Sequence, residues 1–235
     1  MRINVREDFA FLDMDGVLVN FVAGACEKLG ISDPYGEGSK ILGKWNMFQN
    51  TGYPEHVHNA WDKSFWAQLP KMHDADAIVK MVVSYFTWDQ VVIFSKPSTH
   101  PDCIAGKLEW LQKHYPRLSN QFLFGTNKSC SAHPRAVLID DSDKNVDQFR
   151  DAGGRAILYP RSWNTAFRIE NEALNALESQ LRGYGVYPGG AVAWAAEQVR
   201  KSKNYGPGIT DSATTLTLRV SDSTANVEEE DEQDE

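Results

Sequence analysis

The sequence predicts an α/β protein whose core is a parallel sheet flanked on both faces by helices. Apolar runs of three or four residues alternate along the chain with longer segments of helical periodicity, which is the pattern of βαβ units. An acidic or hydroxyl side chain directly follows three of these runs, at Asp13, Ser95 and Asp140. Since open α/β sheets bind ligands outside the carboxyl ends of their strands, these positions predict where the functional site lies.

The first part of the chain begins with a strand and a helix. The run Phe9–Leu12 predicts a buried strand, and the apolar spacing over Val17–Leu29 predicts a helix that ends at Gly30. Residues 31–60 are rich in Gly, Pro, Asn and aromatic side chains, a composition typical of loops and short helices. Helical spacing resumes over Ala75–Phe86.

The second part repeats strand and helix with shorter connections. The predicted strands are Val91–Phe94, Phe122–Phe124, Ala136–Ile139 and Ala156–Leu158, and the predicted helices are 102–114, a segment with Val146 and Phe149 facing inward, 165–184 and 189–203.

This pattern divides the chain into three parts. We expect a core domain made of residues 1–19 and 76–183 and a small, mainly helical cap at 20–75, inserted after the first strand. Residues 184–235 form a C-terminal extension, in which 204–235 turn rich in Gly, Ser and Thr and then acidic, so we expect that stretch to be disordered.

The composition excludes several functional classes. The 235 residues carry a net charge of −8, but seven of the acids stand in 228–235, so the rest is close to neutral. The sequence has no cluster of Lys and Arg residues that could neutralise the phosphates of duplex nucleic acid. No apolar run approaches the ~18 residues that a membrane span requires. The three cysteines lack a CxxC spacing and favour free thiols in a reducing compartment. With no apolar leader at the N-terminus, we expect a cytoplasmic protein.

Four carboxylates are expected to meet at one edge of the sheet. Asp13 and Asp15 follow the first strand with one residue between them, which puts both side chains on the same side of an extended backbone. Asp140 and Asp141 follow the fourth strand. Converging carboxylates repel one another at low dielectric constant, so a divalent cation is the natural compensation, and oxygen ligands favour Mg²⁺.

The same residues suit phosphoryl transfer. An Asp can attack a phosphoryl group to form an aspartyl-phosphate, and a second acid can protonate the leaving alkoxide and then activate water. A hydroxyl at Ser95 and a cation at Lys128 would bind the phosphoryl oxygens. Lys96 is a competing cation next to Ser95.

Four motifs together resemble the haloacid-dehalogenase-like phosphohydrolases. They are "DMDGVL" at 13–18, "IFSKPS" at 93–98, Lys128 and "LIDDSDKN" at 138–145, and they occur in that family's order. Within the superfamily the chain looks most like the 5′(3′)-deoxyribonucleotidases, on the strength of "FWAQLPKMHDADAIVKMV" and "FGTNKS". The resemblance implies a Rossmann-like core with a cap that covers the site and selects the substrate.

The resemblance also implies a role for each motif residue. Asp13 would be the nucleophile and a metal ligand, and Asp15 would be the general acid/base and would ligate the metal through its backbone carbonyl. Ser95 and Lys128 would bind phosphate. Asp141 would ligate the metal directly, and Asp140 would do so directly or through water. The implied activity is a Mg²⁺-dependent phosphomonoesterase acting on (deoxy)nucleoside monophosphates.

Aromatic residues of the expected cap favour a nucleotide over a sugar phosphate, because aromatic faces stack on nucleobases. The substrate-binding candidates are Phe21, Trp45, Phe65 and Trp66, together with Lys96. For each aromatic side chain, packing within the cap is the competing interpretation.

Other interpretations stay open at this point. The Asp140–Asp143 run could cap a helix. The activity could be that of a phosphatase for another small ester or a polynucleotide end, or the fold could serve a non-catalytic binding protein. Dehalogenation is disfavoured because it has no use for the acid at Asp15. We expect a small-molecule partner, no duplex nucleic acid and no membrane, and we leave a homodimer open.

Overall fold

A computed structural model describes residues 8–49 and 51–186. Its centre is an all-parallel sheet of five strands in the order β3-β2-β1-β4-β5, so the predicted fold class is confirmed. The strands are β1 (Phe9–Leu12), β2 (Val91–Ser95), β3 (Phe122–Phe124), β4 (Ala136–Asp140) and β5 (Arg155–Leu158).

The position of β1 in the middle of the sheet decides where the site forms. Leu12 is in register with Ile93 of β2 and with Ile139 of β4. Asp13, Ser95 and Asp140, which stand at the ends of these strands, therefore lie at the carboxyl edge of the sheet. The strands β1 and β4 are almost entirely buried, as expected for a parallel sheet covered on both faces.

Six α-helices and several 3₁₀ turns surround the sheet within the described residues. The helices are α1 (Phe21–Leu29), α2 (Lys63–Gln68), α3 (Ala75–Tyr85), α4 (Pro101–His114), α5 (Asp143–Asp151) and α6 (Ala173–Gly183). The 3₁₀ turns are Val57–Ala60, Trp88–Gln90, Pro116–Leu118, Lys128–Ser131 and Phe167–Glu172.

The first helix starts later than its apolar spacing predicts. Instead of beginning at Val17, α1 begins at Phe21, after Asn20, whose side chain accepts a hydrogen bond from a first-turn N–H. The N–H groups of Leu18 and Val19 donate to the carbonyl of Met14 over 2.8 Å, which closes a tight turn. Val17 and Leu18 are fully buried, so the apolar spacing there reflects a buried turn. The predicted stop is correct, since Gly30 adopts φ 65° and caps α1.

The predicted helix over 165–184 is interrupted. The 3₁₀ turn Phe167–Glu172 precedes α6, and Ile169 has non-helical dihedral angles. The predictions for 189–203 and 204–235 lie outside the described residues.

Hydrophobic clusters cover both faces of the sheet. The larger cluster contains Leu12 and Ile93 together with the aromatic residues Trp61 and Trp66, so the segment 20–75 shares its core with one face. A smaller cluster includes Phe11, Phe94 and Phe149. The proposed division into core and cap stays a prediction.

The helix α2 packs directly on α4. A Cβ at Gly106 of α4 would lie 2.5 Å from the carbonyl of Lys63 and 2.5 Å from Cβ of Trp66, so this contact requires glycine. None of the helices in the described part of the chain combines the length and apolarity that crossing a bilayer requires. All three cysteines are free; Cys26 and Cys103 are buried and Cys130 is exposed.

Candidate active site

Three acids meet at the carboxyl edge of the sheet. Asp13 directly follows β1, Asp140 ends β4, and Asp141 comes next. One carboxylate oxygen from each lies within 4.8 Å of the others. Asp13 and Asp140 are buried. This convergence follows from the pairing of β1 with β4.

Lys128 lies between two of these acids. Its ammonium group forms ion pairs with Oδ1 of Asp13 and, over 2.6 Å, with Oδ2 of Asp140. The 3₁₀ turn that begins at Lys128 brings the side chain in from the loop after β3. Burial disfavours the ammonium form, but the two carboxylates outweigh it and raise the pKa of Lys128. Lys128 therefore stays charged.

The oxygens of Asp140 are already bonded within the protein. Oδ1 accepts hydrogen bonds from the Ser142 N–H (2.9 Å) and the Asn145 side chain (3.1 Å), while Oδ2 binds Lys128. By contrast, Oδ2 of Asp13 and Oδ1 of Asp141 have no hydrogen-bond partner in residues 8–49 and 51–186. The N-cap of α5 is Ser142, whose side chain accepts a hydrogen bond from the Asn145 N–H, so within the run from Asp140 to Asp143 a serine rather than an acid caps the helix.

The electrostatics of the cluster favour a cation. Burial raises the pKa of Asp13, and Asp140 and Asp141 raise it further, although Lys128 acts in the opposite direction. Burial and the neighbouring Asp140 raise the pKa of Asp141 to about 7. A divalent cation would relieve this repulsion. The donors are all carboxylate oxygens, which suit a hard ion such as Mg²⁺.

The side chain of Asp15 lies outside this three-acid cluster and pairs with Lys107. Lys107 is 1% exposed and forms an ion pair with Oδ2 of Asp15. It also donates to Oγ of Ser95 over 2.8 Å and to the carbonyl of Lys96 over 3.3 Å. Oδ1 of Asp15 is buried and has no hydrogen-bond partner within the described residues.

Sequence reasoning missed Lys107, although a signal was available. It stands on the buried face of α4 with Cys103, Trp110 and Leu111. A lysine at a core position of an amphipathic helix needs a buried anionic partner. That partner comes from the loop after β1, which only the tertiary structure identifies.

A buried ion pair holds the turn that follows Asp15. The guanidinium of Arg161 binds both oxygens of Asp74, over 2.8 and 2.9 Å, and also donates to the carbonyls of Gly16 and Val17. Arg161 has no exposed surface. Burial would raise the pKa of Asp74, but the bonds from Arg161 lower it overall. The segment after β5 thus fixes the turn after β1.

The aromatic candidates form one group beside this turn. The ring of Phe21 lies 5.8 Å from Trp66 in a stacked arrangement and 6.3 Å from Phe65 and Trp45. Trp66 is 2% exposed, whereas Trp45 is 50% exposed. Lys107 lies 5.3 Å from the ring centroid of Trp66, which connects the aromatic group to Asp15. Trp45 is therefore the member with a free face.

His58 also belongs to the aromatic group. Its ring packs against Phe21 and Phe48. Burial lowers the pKa of His58, and its Nδ1 is buried with no hydrogen-bond partner in the part of the chain that the structure describes. A neutral imidazole in an aromatic wall can offer a hydrogen bond to a ligand.

The side chain of Lys96 is exposed and lies apart from the buried acids. It lines an open polar groove of about 630 Å³ together with Lys144 and residues of the loop after β3. The structure brings together four of the residues predicted from the sequence: Asp13, Asp140, Asp141 and Lys128. It connects Asp15 with Ser95 through Lys107. Lys96 is exposed and lies apart from these residues.

The chain matches one family of known proteins and two curated relatives over most of the described residues. The model of a family described as "5' nucleotidase, deoxy (Pyrimidine), cytosolic type C protein" matches residues 7–180. Two curated relatives are each 25% identical over 169 residues, covering 71% of this chain and 91% of the relative. Both are named 5'(3')-deoxyribonucleotidase, one from Bacillus subtilis (strain 168) and the other from Bacillus phage SPbeta. The matched region contains every candidate residue named above.

Proposed function

Because the chain belongs to the family of cytosolic type C 5′ nucleotidases and is thereby a phosphoric monoester hydrolase, we propose that it hydrolyses (deoxy)nucleoside monophosphates with Mg²⁺ and through an aspartyl-phosphate. The resemblance to deoxyribonucleotidases of the haloacid-dehalogenase type is confirmed by the family match and by the two relatives. The observation that carries the proposal is the buried cluster of Asp13, Asp140 and Asp141 with Lys128 against it.

Asp13 is the nucleophile in this proposal. Its Oδ1 is held by Lys128, while Oδ2 has no partner among the described residues and can attack phosphorus. The bond from phosphorus to the ester oxygen breaks as the aspartyl bond forms. Burial raises the pKa of Asp13, and the fixed charge of Lys128 acts in the opposite direction, so Lys128 favours the carboxylate form that attacks. Lys128 and Ser95 then hold the phosphoryl oxygens.

Asp15 is the general acid and then the general base. Lys107 fixes one oxygen of Asp15, while Oδ1 is buried and has no hydrogen-bond partner among the described residues, so Oδ1 is the oxygen that can face the leaving group. The acid first donates a proton to the departing alkoxide and later removes one from the water that attacks the aspartyl-phosphate. Lys107 also donates a hydrogen bond to Ser95, so it connects Asp15 with a residue that is proposed to bind the phosphate.

Asp13 and Asp141, together with the main-chain carbonyl of Asp15, would hold the Mg²⁺, which supplies positive charge next to the phosphoryl oxygens. Asp140 is better suited to orienting its neighbours or to a contact through water, because donors from the protein already occupy both of its oxygens.

The cap is proposed to select a nucleoside. The exposed face of Trp45 beside Phe21 offers a surface on which a base can stack. Phe65 and the buried Trp66 are proposed to support this wall. A cytoplasmic location is part of the same proposal.

Phosphate release from a panel of substrates tests this assignment. The panel contains deoxynucleoside and ribonucleoside monophosphates, sugar phosphates and 3′-phosphorylated oligonucleotides, each with and without Mg²⁺. We expect Mg²⁺-dependent release, fastest from mononucleotides. A preference for sugar phosphates or oligonucleotide ends would overturn the nucleotide assignment.

Rapid acid quenching with ³²P-labelled substrate tests the covalent step. Label should be trapped on the wild-type protein and be absent from Asp13→Asn, whose turnover should fall on the order of 10⁴-fold. Asp15→Asn should lose about 10²- to 10⁴-fold. Asp147→Asn, on the exposed side of α5, is the matched control and should keep full activity. Undiminished turnover by Asp13→Asn would refute the mechanism.

A further inference from the structure

Trp163 contacts the candidate metal ligand Asp141, and the proposed reaction assigns it no role. It lies in the segment after β5 and is 7% exposed. Its indole N–H donates a hydrogen bond to Oδ2 of Asp141 over 2.5 Å. Since an indole has a single donor and no acceptor, this bond uses the full hydrogen-bonding capacity of the ring.

Asn164 and Gly16 also restrain Asp141. The side-chain amide of Asn164 donates to the Asp141 carbonyl over 2.9 Å. Gly16 lies so close to Oδ2 that a Cβ at that position would overlap the carboxylate. With Oδ2 engaged in this way, Oδ1 of Asp141 is the oxygen without a protein partner in the described residues.

The ring of Trp163 is itself held in place. It lies 5.6 Å from the ring of Tyr35 and 6.1 Å from that of Trp45. The Tyr35 hydroxyl donates to the carbonyl of Lys44 and accepts from the N–H of Asn46 over 2.9 Å. A donor fixed on two sides can fix the acceptor that it contacts.

We propose that Trp163 is a positioning residue for the divalent cation: it holds Oδ2 of Asp141 so that Oδ1 is presented to the ion. This proposal rests on the proposed function, because it assumes a cation at the acidic cluster. It also places the same indole between that ligand and Trp45, so one ring links the metal ligand to the aromatic wall. Partners that orient a metal ligand typically contribute about 10- to 100-fold in metal affinity.

The test is direct binding of Mn²⁺ to the metal-free, full-length protein, followed by the electron paramagnetic resonance signal of the free ion. Mn²⁺ accepts the same oxygen ligands as Mg²⁺. Trp163→Phe keeps an aromatic ring but removes the N–H donor, so we expect the dissociation constant for Mn²⁺ to rise about 10- to 100-fold. Its turnover should recover at high Mg²⁺, with little change in KM for the nucleotide.

Trp110→Phe is the matched control. Its indole N–H donates over 2.7 Å to the carbonyl of Leu69, and its ring is fully buried, so this variant also loses one buried indole hydrogen bond but lies away from the acids. It should lose stability and keep its affinity for Mn²⁺. Trp163→His restores an aromatic N–H donor and should recover part of the affinity, which separates a positioning role from simple packing.

Three outcomes distinguish the two proposals. Weaker binding by Trp163→Phe alone, with partial recovery in Trp163→His, supports the role of Trp163. Equal Mn²⁺ affinity in wild type and Trp163→Phe overturns that role and leaves the nucleotidase proposal intact. A wild-type protein that hydrolyses nucleotides but binds no Mn²⁺ overturns the metal part of the proposed function and the role of Trp163 with it.

Discussion

The buried pair of Arg161 and Asp74 should be the most sensitive electrostatic contact of the fold. Asp74→Asn keeps the shape of the side chain but removes the charge that faces a guanidinium with no exposed surface. Breaking a buried pair in this way costs about 3–5 kcal/mol, because the remaining charge is left uncompensated. That is a large share of the roughly 5–15 kcal/mol by which a domain is stable.

A double-mutant cycle isolates the pair. Arg161→Met leaves the Asp74 carboxylate with only the Tyr159 hydroxyl, which donates to it over 2.7 Å, and frees the carbonyls of Gly16 and Val17. The two single variants should therefore each lose several kcal/mol. The double variant should lose about 1–3 kcal/mol less unfolding free energy than the sum of the two single losses. Urea unfolding, followed by tryptophan fluorescence, measures all four free energies.

An exposed ion pair provides the control. Lys63 and Glu109 lie 2.8 Å apart, and their side chains are 53% and 54% exposed, so Glu109→Gln should change the free energy of unfolding by less than about 1 kcal/mol. If Asp74→Asn cost no more than Glu109→Gln, or if the two variants of the buried pair were strictly additive, the inference that this pair holds the turn after β1 would be refuted.

Three more predictions concern glycine and pH. Gly16→Ala should lower kcat about 100-fold, measured by phosphate release, because φ is 78° and the new methyl group would meet the Asp141 carboxylate; near-normal turnover would contradict this. Gly106→Ala should lower the free energy of unfolding, measured in urea, by about 1–3 kcal/mol, since its Cβ would lie 2.5 Å from the backbone of α2. In a helix without such a contact the same change would stabilise the protein, so a rise in stability would refute the close packing. Because Arg161 holds the pKa of Asp74 below its ordinary value, the stability it contributes is present above about pH 4 and is lost as the pH falls through the lowered pKa. Asp74→Asn should therefore show a flatter decline in unfolding free energy between pH 5 and about pH 2, and an unchanged decline would count against the ion pair.

Much of the fold was accessible from local pattern. Each strand was predicted at its place because short β-branched and aromatic runs, bounded by polar residues, have few alternatives. The helix start at Val17 was wrong because burial in a turn produces the same apolar spacing as a helix face, and only the hydrogen bonds to Met14 distinguish the two. The kink at Ile169 likewise has no local signal.

By itself the sequence determined the order of strands and helices along the chain, the family, the acids that follow the strands and the candidate lysine in the loop after β3, because these depend on which residue follows which. Only the tertiary structure decided which side chains hold them: Lys107 on Asp15, Arg161 on the turn after β1, and Trp163 on Asp141. Each of these contacts joins residues that are distant in the chain. Burial makes such a partner obligatory without saying which residue it is.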